Sequence, residues 1–360
     1  MRLLFTGDIL IYESQNRRCV GRDGERDYRP IFSQVKPLLE KADYVVGSFE
    51  TTIAGRKSKY THSEYSFNTP DELMLALKWA GFDMLTTANN HCFDRGIEGH
   101  ARTIEVIEKY GFDYTGTRLS DRFHGYLIKD LNGSRVAFLA YTYGTNSLDN
   151  GVIIPENKQY LVNLTRPQDP PIHRPLWKTI AKTLLSPVLK KRTVYHAVGD
   201  CVSGAEITNG RNIEYEKRML DMIREAKRNA DIVIMCLHSG GQFNDKVESY
   251  TQHLFDIIAG AGADAIICNH AHTTLPIFYK EKCLIASALG NFSFAPGEGY
   301  WVDGVKAEYS ALLSLDIEGK KISGFDVVIC KCVFNDCGLA VTIPVTDDLE
   351  IAEIKTRLGL

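Results

Sequence analysis

Short apolar runs that each stop at a polar side chain are the feature of this sequence that most constrains its fold. Runs with the length and composition of buried strands lie at positions 2–5, 44–47, 84–87, 136–141, 232–237, 265–268 and 284–286. The segments between them carry apolar residues every three or four positions, which predicts packed helices. This alternation predicts an α/β fold, and a single domain over residues 1–360 with two sheets is the simplest account.

Local signals indicate where some helices and turns should lie. In the stretch NTPDELMLALKWAG, we expect Thr69 to cap a helix and Glu72 to complete a capping box. Pro70 fits the first turn of that helix, and Gly81 fits its left-handed end. After about residue 301 the pattern predicts an antiparallel hairpin with EGK at its turn, followed by a final helix in DDLEIAEIKTRL.

Charge and hydropathy narrow the class of protein. The chain has 360 residues and a formal net charge of −3, which argues against a dedicated nucleic-acid binder because no overall positive field is present. Met1 leads directly into a strand pattern, without the charged and apolar regions of a signal peptide. No apolar stretch approaches the roughly 18 residues that span a bilayer. We therefore expect a cytoplasmic protein.

A basic insertion at about 155–200 interrupts the α/β pattern. Its segment 172–192, IHRPLWKTIAKTLLSPVLKKR, contains Lys and Arg but no acidic residue. Ile172, Leu176, Ile180 and Leu184 recur on one helical face. The segment is either a packed helix with solvated lysines or a surface for an acidic polymer, an anionic membrane or a synthesis complex.

Polar residues that suit metal chemistry follow successive predicted strands. They are Asp8, Glu50, Asn89-Asn90-His91, His238, Asn269-His270-Ala271-His272 and Asn291. Each alone has an ordinary explanation as a turn, a helix cap or a core histidine. Because ligands of open α/β sheets bind outside the carboxyl ends of the strands, the shared position predicts that these side chains meet at one edge.

The chemistry of this set favours a divalent metal. Carboxylates, an amide oxygen and neutral imidazoles suit Mn, Fe or Zn, and the absence of cysteine disfavours a structural zinc site. Two carboxylates facing two divalent ions leave a charge of about +2, which attracts anionic substrates and lowers the pKa of bound water towards roughly 7. No G-x-S-x-G elbow or catalytic-cysteine signature points to cofactor-free catalysis.

The ordered fragments also resemble a known family. FTGDIL, GSFET, TTANNHCFDRG, YTYGTN, LHSGGQF, CNHAHTTLP and ALGNFSF are similar to the motifs of the bacterial capsule-synthesis proteins of the CapA, poly-γ-glutamate type, over roughly residues 1–300. That family is in turn similar to the calcineurin-like metallophosphoesterases. The resemblance implies a four-layer αββα sandwich with one or two metal ions at the strand ends.

The resemblance also implies a role for each site residue. Asp8 and His272 would bind a first metal ion, Glu50 would bridge two ions, and Asn90, His238 and His270 would bind the second. His91 would be the catalytic histidine that does not bind metal, and Asp94 would orient it. Asn146, Asn269 and Asn291 would contact substrate.

Three motifs depart from the pattern of the resembled proteins. Leu10 stands where the phosphoesterases have the histidine of D-x-H, which removes a ligand of the first metal. Gln242 replaces a glutamate, and Ala271 lies within CNHAH where GHHPH is usual, although both histidine ligands remain. Members of the family are often membrane-anchored, and no anchor is expected here.

The resulting functional hypothesis is a metal-dependent hydrolase or transferase-like protein of capsule or poly-γ-glutamate biosynthesis. Its substrate would be anionic, either a γ-glutamyl polymer or another cell-envelope component. One alternative is a metallophosphoesterase that acts on a small phosphate ester. The other is a non-enzymatic accessory subunit of a polymer-synthesis complex.

Overall fold

The computed structural model describes residues 1–61, 66–170, 193–195, 210, 212–296, 300–302 and 305–360. The helices are α1 (Glu13–Arg18), α2 (Arg29–Phe32), α3 (Lys36–Leu39), α4 (Glu72–Ala80), α5 (Gly96–Lys109), α6 (Ser147–Asn150), α7 (Ile213–Asn229), α8 (Ser249–Gly260) and α9 (Asp348–Leu358). The strands are β1 (Arg2–Ile9), β2 (Tyr44–Phe49), β3 (Met84–Thr86), β4 (Asp113–Thr115), β5 (Tyr126–Leu131), β6 (Ser134–Thr142), β7 (Thr193–Tyr195), β8 (Ile232–His238), β9 (Ala265–Asn269), β10 (Thr274–Lys280), β11 (Cys283–Leu289), β12 (Tyr300–Val302), β13 (Tyr309–Glu318), β14 (Lys321–Phe334) and β15 (Ala340–Pro344).

These strands form two large mixed sheets and one small pair. The first sheet has the order β15-β14-β13-β1-β2-β3-β4, and the second has the order β10-β11-β9-β8-β6-β5. Strands β1 to β4 run parallel to one another, as do β6, β8, β9 and β11. Antiparallel strands flank both groups. Strands β7 and β12 pair separately.

Alternating burial along the strands arranges the two sheets and the helices in four layers. In β1, Leu3 and Phe5 face the apolar core between the two sheets, whereas Leu4 faces a second core beneath α2 to α5. A third core lies between the outer face of the second sheet and helices α7 and α8. This arrangement confirms the predicted αββα sandwich, because successive strand side chains point to opposite faces of a sheet.

The two large sheets are joined at the carboxyl ends of their parallel strands. The backbone N–H of Asp8 in β1 donates to the carbonyl of Gly290, which follows β11, at 2.9 Å. Phe292 returns a hydrogen bond from its N–H to the carbonyl of Asp8, also at 2.9 Å. Gly7 makes this approach possible, since a Cβ atom there would lie 2.0 Å from the Gly290 oxygen. This contact between Gly7–Asp8 and Gly290–Phe292 is called the sheet junction below.

Several local predictions are confirmed and one is wrong. Gly81 ends α4 with φ of 103°, and the Gly319 turn joins β13 to β14. The predicted start of α4 is wrong, because Asp71 occupies the N-cap position without a side-chain cap, and Pro70 precedes the N-cap and does not lie in the first turn. The Thr69 hydroxyl instead lies 3.0 Å from the hydroxyl of Thr51, which belongs to the loop after β2.

The basic segment 172–192 lies outside the described residues, and so does most of the predicted insertion. The part that precedes it is described: Glu156–Leu161 forms a 3-10 helix, and Leu164 bridges to Thr142 at the end of β6. The division of the chain into domains therefore stays a prediction. Across the part of the chain that the structure covers, every helix is too short or too polar to cross a bilayer.

Replacing Gly7 by alanine is expected to lower the free energy of unfolding by about 3 kcal/mol or more, because backbone atoms at the sheet junction must separate. The matched control is Gly324→Ala in β14, where a Cβ atom meets no heavy atom within 4 Å. That change should leave stability unaltered or raise it by up to about 1 kcal/mol. Urea unfolding of both variants measures the difference. Equal stabilities would show that the junction is not tightly packed.

Candidate metal centre

Asp8 is the carboxylate that the sheet junction holds in place. It lies inside β1, after an irregularity in the pairing with β2 between Phe5 and Asp8, rather than beyond the strand as the sequence indicated. Ser48 donates to its Oδ1 at 2.7 Å, and the N–H of His270 donates to its Oδ2 at 3.0 Å. The side chain is fully buried, so these bonds fix its orientation at the edge where both sheets end.

Glu50 is the centre of the cluster, and neither of its carboxylate oxygens has a hydrogen-bond partner among the described residues. Its Oε1 lies 3.3 Å from Nε2 of His238 and 3.8 Å from Nε2 of His272. The side chain is fully buried. A buried carboxylate without hydrogen bonds is costly unless a cation or a proton compensates it, so Glu50 is placed as a ligand.

The three histidines of the cluster come from the end of one strand and from one loop. His238 is the last residue of β8, directly beside Thr142 and Asn269 in the sheet. His270 and His272 follow β9 with φ of 97° and 56°, in the left-handed region that side chains other than glycine rarely adopt. Such strain persists where the surrounding structure enforces it, and it is concentrated at functional sites.

Ligand atoms of these residues form two groups that share one carboxylate. Glu50, His238 and His270 make one group, and Asp8, Glu50 and His272 make the other, each with its atoms within 4.8 Å of one another. Asn90 Oδ1 lies 2.8 Å from His238 Nε2, so the amide oxygen joins the first group. The cluster could bind a metal ion, and the shared Glu50 suits a bridging position between two ions.

Burial controls the electrostatics of the cluster. Burial, reinforced by the charge of Glu50, raises the pKa of Asp8 to about 7, and burial likewise raises the pKa of Glu50. Burial lowers the pKa of His238 to about 4 and that of His270 well below its ordinary value. Burial also lowers the pKa of His272. Neutral imidazoles beside buried carboxylates form the kind of donor set that binds a divalent cation.

His91 stands beside this cluster and has its own carboxylate partner. Its Nδ1 lies 2.7 Å from Asp94 Oδ2, an oxygen that also accepts a hydrogen bond from the N–H of Phe67 at 2.7 Å. Its Nε2 lies 3.9 Å from Glu50 Oε1. Burial alone lowers the pKa of His91, but the charge and hydrogen bond of Asp94, together with the charges of Glu50 and Asp8, raise that pKa overall. The pair has the geometry of an imidazole oriented by a carboxylate.

The asparagines of the predicted site lie at the centre but have different surroundings. Asn146, with φ of 51°, places its amide 3.4 Å from both Asn90 Nδ2 and His91 Nδ1. Asn291 accepts from His272 Nδ1 at 2.9 Å and donates to two backbone carbonyls. Within the part of the chain that the structure describes, the side chain of Asn269 bonds to the backbone of Thr6 and of Leu289. These contacts favour supporting roles for Asn269 and Asn291, and their substrate contacts stay predictions.

Sequence reasoning missed two features of the centre. Ser48, which orients Asp8, lies within the GSFET motif, but the sequence assigned it no role. Leu10 lies in a buried cluster with Phe67, Phe243 and Phe294. The ring of Phe67 meets His91 edge-on, with a centroid distance of 4.7 Å. Apolar side chains therefore surround Leu10, the position at which the sequence indicated only the loss of a histidine. The cluster of Leu10, Phe67, Phe243 and Phe294 is called the apolar wall below.

Comparison with known proteins places this site in a family. The profile of the bacterial capsule synthesis protein PGA_cap matches residues 2–296, which include every residue of the centre described above. The chain belongs to this family. The PGA_cap assignment confirms the resemblance that the ordered motifs indicated.

Curated relatives agree with the assignment. The PGA biosynthesis protein CapA of Bacillus subtilis (strain 168) is 26% identical over 328 residues, with 90% of this chain and 69% of that protein covered. The capsule biosynthesis protein CapA of Bacillus anthracis is 25% identical over 332 residues, with 91% and 66% covered. The chain thus spans about two thirds of the length of these relatives.

Among solved structures, a hypothetical protein from Thermus thermophilus superposes with a TM-score of 0.47 and 14% identity, over 92% of this chain and 99% of that one. The fold assignment therefore depends on the layers and strand order described above.

A divalent metal is expected to stabilise the protein, because it binds the folded cluster and relieves the uncompensated Glu50. Chelation should lower the melting temperature by several degrees, and Mn, Fe(II) or Zn should restore it. The double variant His270→Ala, His272→Ala should lose both the bound metal and this response, as calorimetry and elemental analysis can measure. His253→Ala, which removes a histidine paired with Glu216 outside the cluster, is the matched control. If neither chelator nor added metal shifts the melting temperature of the unaltered protein, the cluster does not bind metal.

Proposed function

We propose that this PGA_cap protein is a metal-dependent hydrolase or transferase-like protein that acts on an anionic substrate in capsule or poly-γ-glutamate biosynthesis. The observation that carries the proposal is the fully buried Glu50, whose two oxygens accept no hydrogen bond from the described residues while the imidazoles of His238 and His272 approach it. A structural role alone does not account for a carboxylate kept in this state, because its burial is costly.

The donor set fits one or two divalent ions. Asp8, Glu50 and His272 would hold one, and Glu50, Asn90, His238 and His270 would hold the other. Bound there, metal would supply Lewis acidity and a water of lowered pKa. Two carboxylates against two divalent ions leave a positive centre, which favours an anionic substrate such as a γ-glutamyl polymer or another cell-envelope component.

His91 would supply the proton in this reaction. The hydrogen bond from Nδ1 to Asp94 fixes the ring so that Nε2 faces the centre. A leaving group bound beside Glu50 would then take its proton from Nε2, as general acid catalysis requires. Asn146, within 3.4 Å of His91, is the amide best placed to contact substrate.

Two other functions are open to the same centre. The pair His91–Asp94 beside a bridging carboxylate also supports a metallophosphoesterase that acts on a small phosphate ester. Leu10 and its apolar wall, which remove a metal ligand, support a non-enzymatic accessory subunit of a polymer-synthesis complex. Contact with a polymer, a membrane or that complex through segment 172–192 remains part of the proposal, as does the expected cytoplasmic location.

An activity screen decides between these functions. Purified protein loaded with Mn or Zn would be offered γ-glutamyl peptides and simple phosphate esters, with release of amine or phosphate measured. We expect turnover of γ-glutamyl peptides. Turnover of phosphate esters alone would select the phosphoesterase. Metal binding without turnover of either class would select the accessory subunit.

Replacing His91 by alanine is expected to reduce turnover by about 10²–10⁴-fold while metal stays bound, because the change removes the proton donor and no ligand. Steady-state kinetics and elemental analysis on the same preparation measure both quantities. His253→Ala should keep both at the level of the unaltered protein. Loss of metal in parallel with activity would mean that His91 is a ligand instead.

A further inference from the structure

A mainly apolar cavity of about 240 Å³ with a few polar groups lies between the end of β6, helix α7 and the segment 159–164, and none of its lining residues belongs to the metal centre. Arg118 and Asn163 form one side of it, and Tyr141 and Met222 form another. An adjoining cavity of about 370 Å³ shares Tyr215 with it, so a ligand has room for an organic body as well as a polar head.

The guanidinium of Arg118 is held in a fixed direction. Its Nη1 donates to Asn163 Oδ1 at 2.9 Å. The amide nitrogen of Asn163 donates in turn to the carbonyls of Gly125 at 2.8 Å and Ala140 at 3.1 Å. Because those two bonds define the orientation of the amide, its oxygen must face Arg118. The arginine is therefore preorganised without help from an acid.

The described part of the protein does not use all the hydrogen-bond donors of the Arg118 side chain. Its Nε is buried and has no hydrogen-bond partner there. Asp121 acts on it only through charge, and burial lowers the pKa of the guanidinium. An arginine offers five N–H donors in a planar fork, and leaving a buried donor unpaired costs free energy. This cost is relieved when an acceptor with two oxygens enters the cavity.

Other residues around the cavity suit the same ligand. Among the described residues the Tyr141 hydroxyl donates to Met222 Sδ, at 3.1 Å, and sulfur is a weak acceptor that an oxygen can replace. Arg218 lies at the exposed side, paired with Glu214 and set over the ring of Tyr215 at 5.6 Å. It adds positive charge near the entrance, partly offset by Glu214.

We propose that this cavity, named the Arg118 cavity, binds a small organic oxyanion, with a carboxylate or phosphate group on Arg118 and Tyr141 and an apolar body against Met222 and Tyr215. The site is separate from the metal centre, and it would hold its ligand whether or not the metal centre is active. The shared chemistry of carboxylate and phosphate is a planar or tetrahedral group with at least two oxygens, which matches the guanidinium fork.

Titration calorimetry of the full chain with inorganic phosphate and, separately, with glutarate tests the proposal. Both titrations are run with chelator present, so that anions do not bind through metal. We expect saturable binding of at least one probe, weakened about tenfold or more in Arg118→Gln, which keeps a polar side chain but is shorter and loses the charged fork. Preference for phosphate or for glutarate identifies the class of ligand.

Arg224→Gln is the matched control. It removes the same charge from an exposed arginine of α7 that pairs with Asp221 outside the cavity, and it should bind like the unaltered protein. If Arg118→Gln does not fold, as circular dichroism would show, Tyr141→Phe replaces it and should weaken binding several-fold. The proposal is overturned if neither probe binds the unaltered protein, or if the cavity variants bind as well as Arg224→Gln.

Discussion

The sheet junction is the contact on which the rest of the site depends. Two backbone hydrogen bonds between Asp8 and the chain after β11 hold the two sheets together at one edge, and they form only because Gly7 lets the carbonyl of Gly290 approach. Asp8 belongs to one sheet, whereas His238 and His270 belong to the other. Without this junction the carboxylate and the imidazoles would lie on separate layers, and no shared cation site could form.

The centre is costly for the fold, and the three apolar cores offset that cost. A buried Glu50 without hydrogen bonds, two histidines in the left-handed region and a raised pKa at Asp8 all destabilise the metal-free protein. The layers hold these groups in position, because neither sheet can relax without exposing the core between them. Preorganisation of this kind lets a cation bind with little rearrangement.

Sequence patterns predicted the strands and the polar residues at their ends, because both depend on local composition and on the geometry of parallel sheets. His238 illustrates this, because the apolar run that ends at this histidine can be recognised from the local sequence alone. Asp8 was placed just beyond its strand, because the irregularity before it depends on pairing with β2. The apolar wall around Leu10 was also not predictable, since Phe67 and Phe243 come from distant loops.

The prediction that Thr69 caps α4 was wrong for a related reason. Thr69 satisfies the sequence rule for a capping residue, yet its hydroxyl meets Thr51 from a loop that the rule does not consider. A side-chain hydroxyl can bond to any of several nearby groups, and the tertiary contacts determine which bond forms. The same limit applies to Asn269, whose strand-end position suggested a ligand contact although its amide bonds to neighbouring backbone.

The sheet junction also has a consequence for the order in which the protein assembles. Asp8 meets the N–H of His270, which lies 262 residues further along the chain, and its backbone pairs with Gly290 beyond that. Contacts between residues so far apart in sequence form late, because a long loop must close first. During synthesis the first strand has no partner from the second sheet until nearly the whole matched region has left the ribosome. The cluster that could bind a cation is therefore complete only after translation has passed residue 290.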